Sequence, residues 1–315
     1  MKKLLTLGET MACFLPGAPG PLRYVSGYRL AIAGAESNLA IDAAKLGVEA
    51  VWFSRLGQDE FGAFVRNQVR AEGVDCRAVV FDETHPTGLM FKQTGAGESR
   101  VYYYRAGSAA SFLSPGDITP ALFAGVGLLH LTGITPVLSE NCRAAVLRAF
   151  ALADELGVPV SFDPNIRRKL WNGVDHTPLL RDLALRSTVL LLGLDEAEAL
   201  FGTRDMDALC AAVFAGKVQA LAVKDGAKGA AVAAPGKAPL SVPPWPCRCV
   251  EPIGAGDAFN AGFLAGWLEG RPLAECGRMG AIAGAMATET PGDTEGSPIR
   301  EQLDAALAGA AAIYR

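Results

Sequence analysis

Leu128-Leu129-His130-Leu131-Thr132, the amphipathic stretch 139–156 with Gly157 behind it, and Val158-Pro159-Val160-Ser161-Phe162-Asp163 together decide the fold. The two ends are apolar runs of strand length. The middle carries apolar residues at helical spacing between an N-capping serine, Ser139, and a stop glycine. Strand, helix and strand in immediate succession predict a parallel pair joined by a right-handed crossover. The same alternation recurs along the chain: residues 4–7, 50–55, 188–192 and 220–224 read as further strands, and Asp59 opens a helix that ends before Gly73. The sequence therefore predicts an α/β chain, a doubly wound and mostly parallel sheet with helices on both faces.

One region departs from the alternation. Residues 88–94 and 100–105 flank the turn Gly95-Ala96-Gly97-Glu98, giving two strands with no helix between them. A hairpin inserted into a parallel α/β chain predicts a lid, and the Gly- and Pro-rich stretch 15–33 is expected to add another lid strand. We read residues 1–315 as a single domain with lid inserts at about 15–33 and 80–106. The alanine-rich run 303–313 reads as a surface helix.

Composition narrows the partners. Lys and Arg number 29 against 33 Asp and Glu, a formal charge of −4, which argues against nucleic acid or an anionic membrane surface. Met1-Lys2-Lys3-Leu4-Leu5 imitates a secretion signal, but Glu9 interrupts the apolar run, so a first buried strand and a cytoplasmic location are expected. No apolar run reaches the roughly 18 residues of a membrane span. The seven Cys are odd in number, and Cys247-Arg248-Cys249 has the wrong spacing for a CxxC site, so reduced packed thiols are expected. His85, His130 and His176 lie on unrelated segments and predict no His-based metal site.

The chemistry concentrates in Pro252-Ile253-Gly254-Ala255-Gly256-Asp257, directly ahead of the small-residue helical pattern from Ala258 to Gly266. Two glycines at a helix start leave backbone N–H groups unshielded where the helix dipole is positive, which suits a phosphate. Asp257 falls in the first turn, placed to take a proton from a hydroxyl beside that phosphate. As an isolated four-residue match, Gly-Ala-Gly-Asp is more often an ordinary loop and cap. However, Phe259 stands where a GxGxxG fingerprint needs its third glycine, and no GxxxxGK[ST] loop occurs, which weakens the dehydrogenase and P-loop readings.

Gly254-Ala255-Gly256-Asp257 with Glu251 ahead of it resembles the second signature of the PfkB, or ribokinase-like, carbohydrate kinases. Ala33-Gly34-Ala35-Glu36-Ser37-Asn38 resembles that family's glycine-rich first signature. Within the family the chain is most similar to 2-keto-3-deoxygluconate kinases. That likeness rests on Tyr102-Tyr103-Tyr104-Arg105-Ala106-Gly107-Ser108-Ala109, Leu129 to Ile134, Asp163-Pro164-Asn165-Ile166-Arg167 and Gly292-Asp293-Thr294-Glu295-Gly296. The resemblance implies ATP and magnesium as cofactors and a sugar acid as substrate, with phosphorylation of 2-keto-3-deoxygluconate to its 6-phosphate. It also implies, by analogy, a homo-oligomer. It assigns Asp257 as base and Gly254, Ala255 and Gly256 as anion hole. Gly34, Tyr103, Arg105, Arg167 and Asp293 would contact the sugar acid. Asn165 and the loop Asp225-Gly226-Ala227-Lys228-Gly229 would approach the nucleotide.

Physical sense supports a sugar acid, because a carboxylate entering a closed site needs a guanidinium, and Arg105 and Arg167 are the candidates; Arg168 and Lys169 read as a solvated basic face. Tyr103 alternates away from Tyr102 and Tyr104, whose faces are expected to pack. Two positions depart from the family pattern. Glu251-Pro252 replaces the usual Asp-Thr. Gly193-Leu194-Asp195-Glu196 replaces Asn-x-x-Glu, which leaves Glu196 a weak metal candidate and equally a helix-start residue. The rival readings are a kinase for a neutral sugar such as fructose or ribose, a non-catalytic sugar-acid sensor, and a nicotinamide-dependent dehydrogenase.

Overall fold

In the computed structural model, which describes residues 2–95 and 98–309, the apolar runs form strands and the periodic stretches form helices in the expected alternation. Strand β1 (Lys3–Leu7) leads into β2 (Met11–Pro16), β3 (Tyr28–Ala33) and helix α1 (Ala35–Lys45). Next come β4 (Ala50–Phe53), β5 (Arg55–Gly57), α2 (Glu60–Ala71), β6 (Val80–Asp82) and the hairpin β7 (Leu89–Gly95) and β8 (Glu98–Tyr104). Then follow β9 (Val126–Thr132), the single turn α3 (Thr135–Leu138), α4 (Glu140–Leu156), β10 (Val160–Asp163), α5 (Thr177–Arg186), β11 (Val189–Gly193) and α6 (Leu194–Phe201). The chain closes with α7 (Met206–Val213), β12 (Ala220–Lys224), β13 (Ala230–Ala233), β14 (Leu240–Val242), α8 (Ala255–Leu268), α9 (Leu273–Ala287) and α10 (Arg300–Leu307). Ala96 and Gly97 of the hairpin turn, and 310–313 of the alanine-rich run, lie outside the described residues.

The large sheet has the order β14-β13-β12-β11-β10-β9-β1-β4, parallel from β12 to β4 and antiparallel at β13 and β14. Strand periodicity gives it two buried faces. Leu5, Leu7, Leu129, Leu131, Leu190 and Leu192 join α4 and α5 on one side, while Leu4, Leu128, Val189 and Leu191 join α1, α8 and α9 on the other. The capping chemistry was legible: the Ser139 hydroxyl accepts from Cys142 N–H, Gly157 closes α4 in the left-handed conformation, and Asp59 accepts from Gly62 N–H. The order reverses at β1, which has β4 on one side and β9 on the other; in such sheets ligands bind beyond the strand C-termini at this point.

The lid is a second sheet, ordered β3-β2-β7-β8. Its first insert starts at Met11 rather than near residue 15, because Met11 pairs with Ala33 and packs with Cys13 and Met90 on one buried face. Residues 50–55 are not one strand. The chain leaves the large sheet at Ser54, and β5 pairs instead with β6, outside the lid, where the Arg55 guanidinium reaches Asp82 at 3.2 Å and Asp117 at 2.8 Å. An arginine held between two carboxylates cannot sit in an apolar sheet face, and this displaces the register. Among the described residues no helix is long and apolar enough to cross a membrane, and the seven cysteines are free thiols.

Helix α8 is buried on all sides from Ala258 to Gly266, as expected of a helix apolar all round. It lies unusually close to α9: Gly262 and Gly266 face Met279 and Cys276, and Gly280 and Gly284 face Phe259 and Ala255. A Cβ at any of these four glycines would stand at 3 Å or less from the facing helix.

Candidate active site

Gly254 ends the approach to α8 with φ +81°, and a Cβ there would collide with the Asp293 carbonyl oxygen. Glycine is required on both counts. The first intrahelical bond runs from Ala258 N–H to the Gly254 carbonyl, so the amides of Gly256 and Asp257 have no acceptor within the helix. Together with the dipole of the 14-residue α8, they make a helix start whose free N–H groups are able to hold an anion.

Asp257 hangs from that turn in a half-buried position. Burial raises its carboxyl pKa to about 7; the Asn38 amide, donating to Oδ2 at 2.9 Å, favours the charged form, and Asp163 opposes it. A carboxyl near neutrality is matched to proton abstraction at physiological pH. Asn38 comes from α1, four residues after Gly34, and lies 3.5 Å from Asp293 Oδ2 as well. Gly34 is packed so tightly that a Cβ would stand 2.6 Å from the Glu9 carbonyl oxygen. Asp257, Asp293 and the first glycine motif therefore meet at the N-terminal end of α1.

A second network lies behind the turn. Lys224 at the end of β12 bonds Asp163 Oδ2 at 2.8 Å and Asn260 Oδ1 at 3.1 Å, and Asn260 donates to Asp163 at 2.6 Å. Burial works against both charges, but each is held ionised by the other: Asp163 is lowered and Lys224 raised. The Lys224 ammonium lies 3.8 Å from where a Gly256 Cβ would be, beside the anion-binding turn. Asn165 follows in the left-handed region at φ +38°, its N–H on Asp163. Asp225, Gly226 and Gly229 turn directly beyond Lys224, with Asp225 N–H on the Gly229 carbonyl.

The lid supplies Arg105 and Tyr103, which line a cavity of about 630 Å³ together with Ser139, Glu140 and Lys169. Lys169, read as a solvated face, thus forms part of this wall. The Arg105 Nε donates to Glu9 Oε2 at 2.6 Å and one Nη pairs with the same oxygen, while Ser108 holds the other oxygen of the buried Glu9. That anchors one edge of the guanidinium and leaves the other edge for a ligand. Asp257 and Asp293 do not line this cavity, and Arg167 is exposed, its guanidinium in no ion pair or hydrogen bond among the described residues. Tyr102 and Tyr104 do face opposite to Tyr103, yet at 42% and 66% exposure they are not packed as expected.

Glu196 does not present a free carboxylate to a metal. Its two oxygens accept Ile166 N–H and Gly193 N–H, each at 2.7 Å, and burial followed by the charge of Asp163 raises its pKa. The helix-start reading is the one its contacts support. Glu251 is likewise engaged, accepting Gly292 N–H at 3.0 Å and lying 3.6 Å from the Lys92 ammonium. Among the described residues no three His, Cys, Asp or Glu side chains converge on an ion position.

Sequence reasoning missed Asn38, Lys92, Lys224 and Glu9. Alternation along 89–95 places Lys92 on the inward face with Met90, and Lys224 closes an apolar strand run; both were readable signals. The partners of Asn38 and Glu9, 219 and 96 residues away, were not.

Comparison with known proteins points to one family. The 2-dehydro-3-deoxygluconokinase of Bacillus subtilis (strain 168) is 33% identical over 99% of this chain and 97% of its own length. The 2-dehydro-3-deoxygluconokinase of Thermoproteus tenax is 34% identical over 98% and 94%. The crystal structure of a PfkB protein from Polaromonas sp. JS666, 34% identical, matches with a TM-score of 0.88 over 97% of this chain and 100% of that one. Residues 1–300 match the model of the pfkB family carbohydrate kinases, and the chain belongs to that family.

Proposed function

We propose that this chain transfers the γ-phosphoryl group of ATP to the primary hydroxyl of 2-keto-3-deoxygluconate, giving the 6-phosphate and ADP. The observation that carries the reading is Asp257: a half-buried carboxyl with a pKa raised to about 7, on the first turn of α8 behind two glycines and hydrogen-bonded to Asn38 of α1. Asp257 accepts the hydroxyl proton as that oxygen attacks the γ-phosphorus and the bond to the β-phosphate oxygen breaks. The amides of the 254–257 turn hold the anionic phosphoryl group in place. Magnesium belongs with the ATP phosphates, whose charge it offsets. For the substrate carboxylate, the open edge of Arg105 beside Tyr103 is the candidate partner. Lid closure excludes water, which otherwise competes as acceptor.

A neutral sugar such as fructose or ribose is the second reading, favoured by the exposure of Arg167 and by the engagement of Arg105 with Glu9. Both readings are tested by coupled ADP release with magnesium-ATP against 2-keto-3-deoxygluconate, its galactonate epimer, fructose and ribose. Turnover is expected on the sugar acids, with kcat lowered roughly 10²–10⁴-fold by Asp257→Asn. Turnover on fructose or ribose alone overturns the carboxylate assignment.

A further inference from the structure

Lys92 is the feature that the reaction scheme leaves unused. It lies on lid strand β7 at 3% exposure, yet it carries an ammonium. A buried lysine needs a reason, and here there are two carboxylates: Asp293 Oδ1 at 2.7 Å and Glu251 Oε1 at 3.6 Å. Both acids border the anion-binding turn. Glu251 opens the segment that runs into Gly254 and accepts the Gly292 amide, while the Asp293 carbonyl packs against Gly254. The other oxygen of Asp293 lies 3.5 Å from the Asn38 amide that orients Asp257. Without a cation, two carboxylates would stand uncompensated beside the place meant for a phosphate, and one of them, Asp293, lies next to the base.

We propose that Lys92 is a positioning residue for the chemistry at Asp257: the lid delivers its ammonium between Asp293 and Glu251 and holds them as a neutralised pair beside the anion-binding turn. The inference rests on the phosphoryl-transfer reading for its purpose, but the electrostatic coupling it describes exists without substrate. The cation arrives on the lid and the acids belong to the body, so the turn reaches its full anion-binding strength only with the lid in this position. Lid docking and charge balance are one event.

The groups around the pair are few. Lys92 also faces the Cys13 thiol on β2, which burial pushes up to about 12 and which is therefore neutral. Asp257 faces Asn38 and Asp42 from α1, Asp163 from β10, Lys224 from β12 and Asp293. Of these, Asp293 alone is in direct contact with Lys92, so the coupling runs through it. The charge of Asp293 already works to raise the Asp257 pKa, and removing its counter-ion strengthens that push.

The test is the titration of the Asp257 carboxyl carbon by ¹³C NMR in aspartate-labelled protein, assigned with Asp257→Asn. It is run in wild type, Lys92→Met, Lys92→Arg and Glu251→Gln, without substrate, and alongside the pH dependence of kcat/KM. Lys92→Met is expected to move the Asp257 midpoint up by roughly half a unit to one unit, with the acidic limb of kcat/KM moving equally. Lys92→Arg is expected to restore the wild-type midpoint. Glu251→Gln, which keeps the acceptor for Gly292, is expected to move it down, and it carries the test should Lys92→Met fail to fold. An unmoved midpoint in a folded Lys92→Met overturns the proposal and leaves Lys92 a lid buttress, whatever its effect on turnover. A midpoint that moves in a protein inactive on every sugar tried sustains the coupling and sinks the substrate assignment instead.

Discussion

A carboxyl that accepts a proton near neutrality must be shielded from water and yet not be paired with a cation that would keep it ionised. Asp257 is half-buried, and among the described residues the hydrogen bond to its carboxylate comes from the neutral amide of Asn38. With its pKa at about 7, the acidic limb of kcat/KM is expected there: below it the base is protonated and activity falls tenfold per pH unit, above it activity levels off. A limb near 4–5 in a pH–rate profile would show that some other group limits the rate. Asp42, one helical turn beyond Asn38, is a different case. It is 2% exposed, and burial raises its pKa well above the ordinary value, opposed only in part by the Ser297 hydroxyl and the charge of Lys45. Its raised folded pKa contributes stability that is present below about pH 4 and is lost as pH rises toward that folded value. Asp42→Asn is therefore expected to raise Tm by at least roughly 2 °C at pH 8, a gain that vanishes toward pH 4 in thermal scans. Of these residues the sequence showed Asp257 plainly, since its spacing after Gly254 and Gly256 carries the chemistry. It left Asn38 as one letter of a motif, because a hydrogen bond across 219 residues leaves no local trace.

At the scale of elements, legibility followed local chemistry. Caps and stop glycines fixed α2 and α4, strand periodicity fixed the two faces of the sheet, and the glycine-rich turn marked the hairpin. The break at Ser54 was hidden because the apolar content of 50–57 fits one strand, and only the demand of Arg55 for Asp82 and Asp117 divides it. The turn into α8 was readable in composition but not in its closeness to 293. Gly254→Ala tests that closeness. It forces a left-handed residue, at a cost of about 1–2 kcal/mol, and drives a methyl into the Asp293 carbonyl, so the helix start must shift. Expected are a lower Tm in calorimetry and a kcat reduced on the order of 10²-fold, since a displacement of about 1 Å is enough for such a loss. A variant with native kcat would show that the turn is not in register with the reaction.

For the molecule as a whole, the candidate site is assembled from pieces far apart in the chain: α1 from the N-terminal region, the lid from two inserts, and the turn, Asp257 and Asp293 from the last quarter. Ligands that join these pieces should stabilise all of them together. Sugar acid at a hundred times its Kd is expected to add about 2.7 kcal/mol to stability, a rise in Tm of roughly 4 °C. In the same sample, amide exchange should slow in β2, β7 and β8. Protection confined to the body, with the lid unchanged, would separate binding from closure.

The glycine seam between α8 and α9 bears on how this protein tolerates change. The face of α8 turned away from the cleft has no spare volume, so a single added methyl at Gly262, which would meet the Met279 carbonyl, must be absorbed by sliding the rod that carries Asp257 at its tip. A random library sorted by turnover would then find crippling lesions strung along a dry, ligand-free seam on the opposite side of that helix, and a survey of the cleft alone would overlook them.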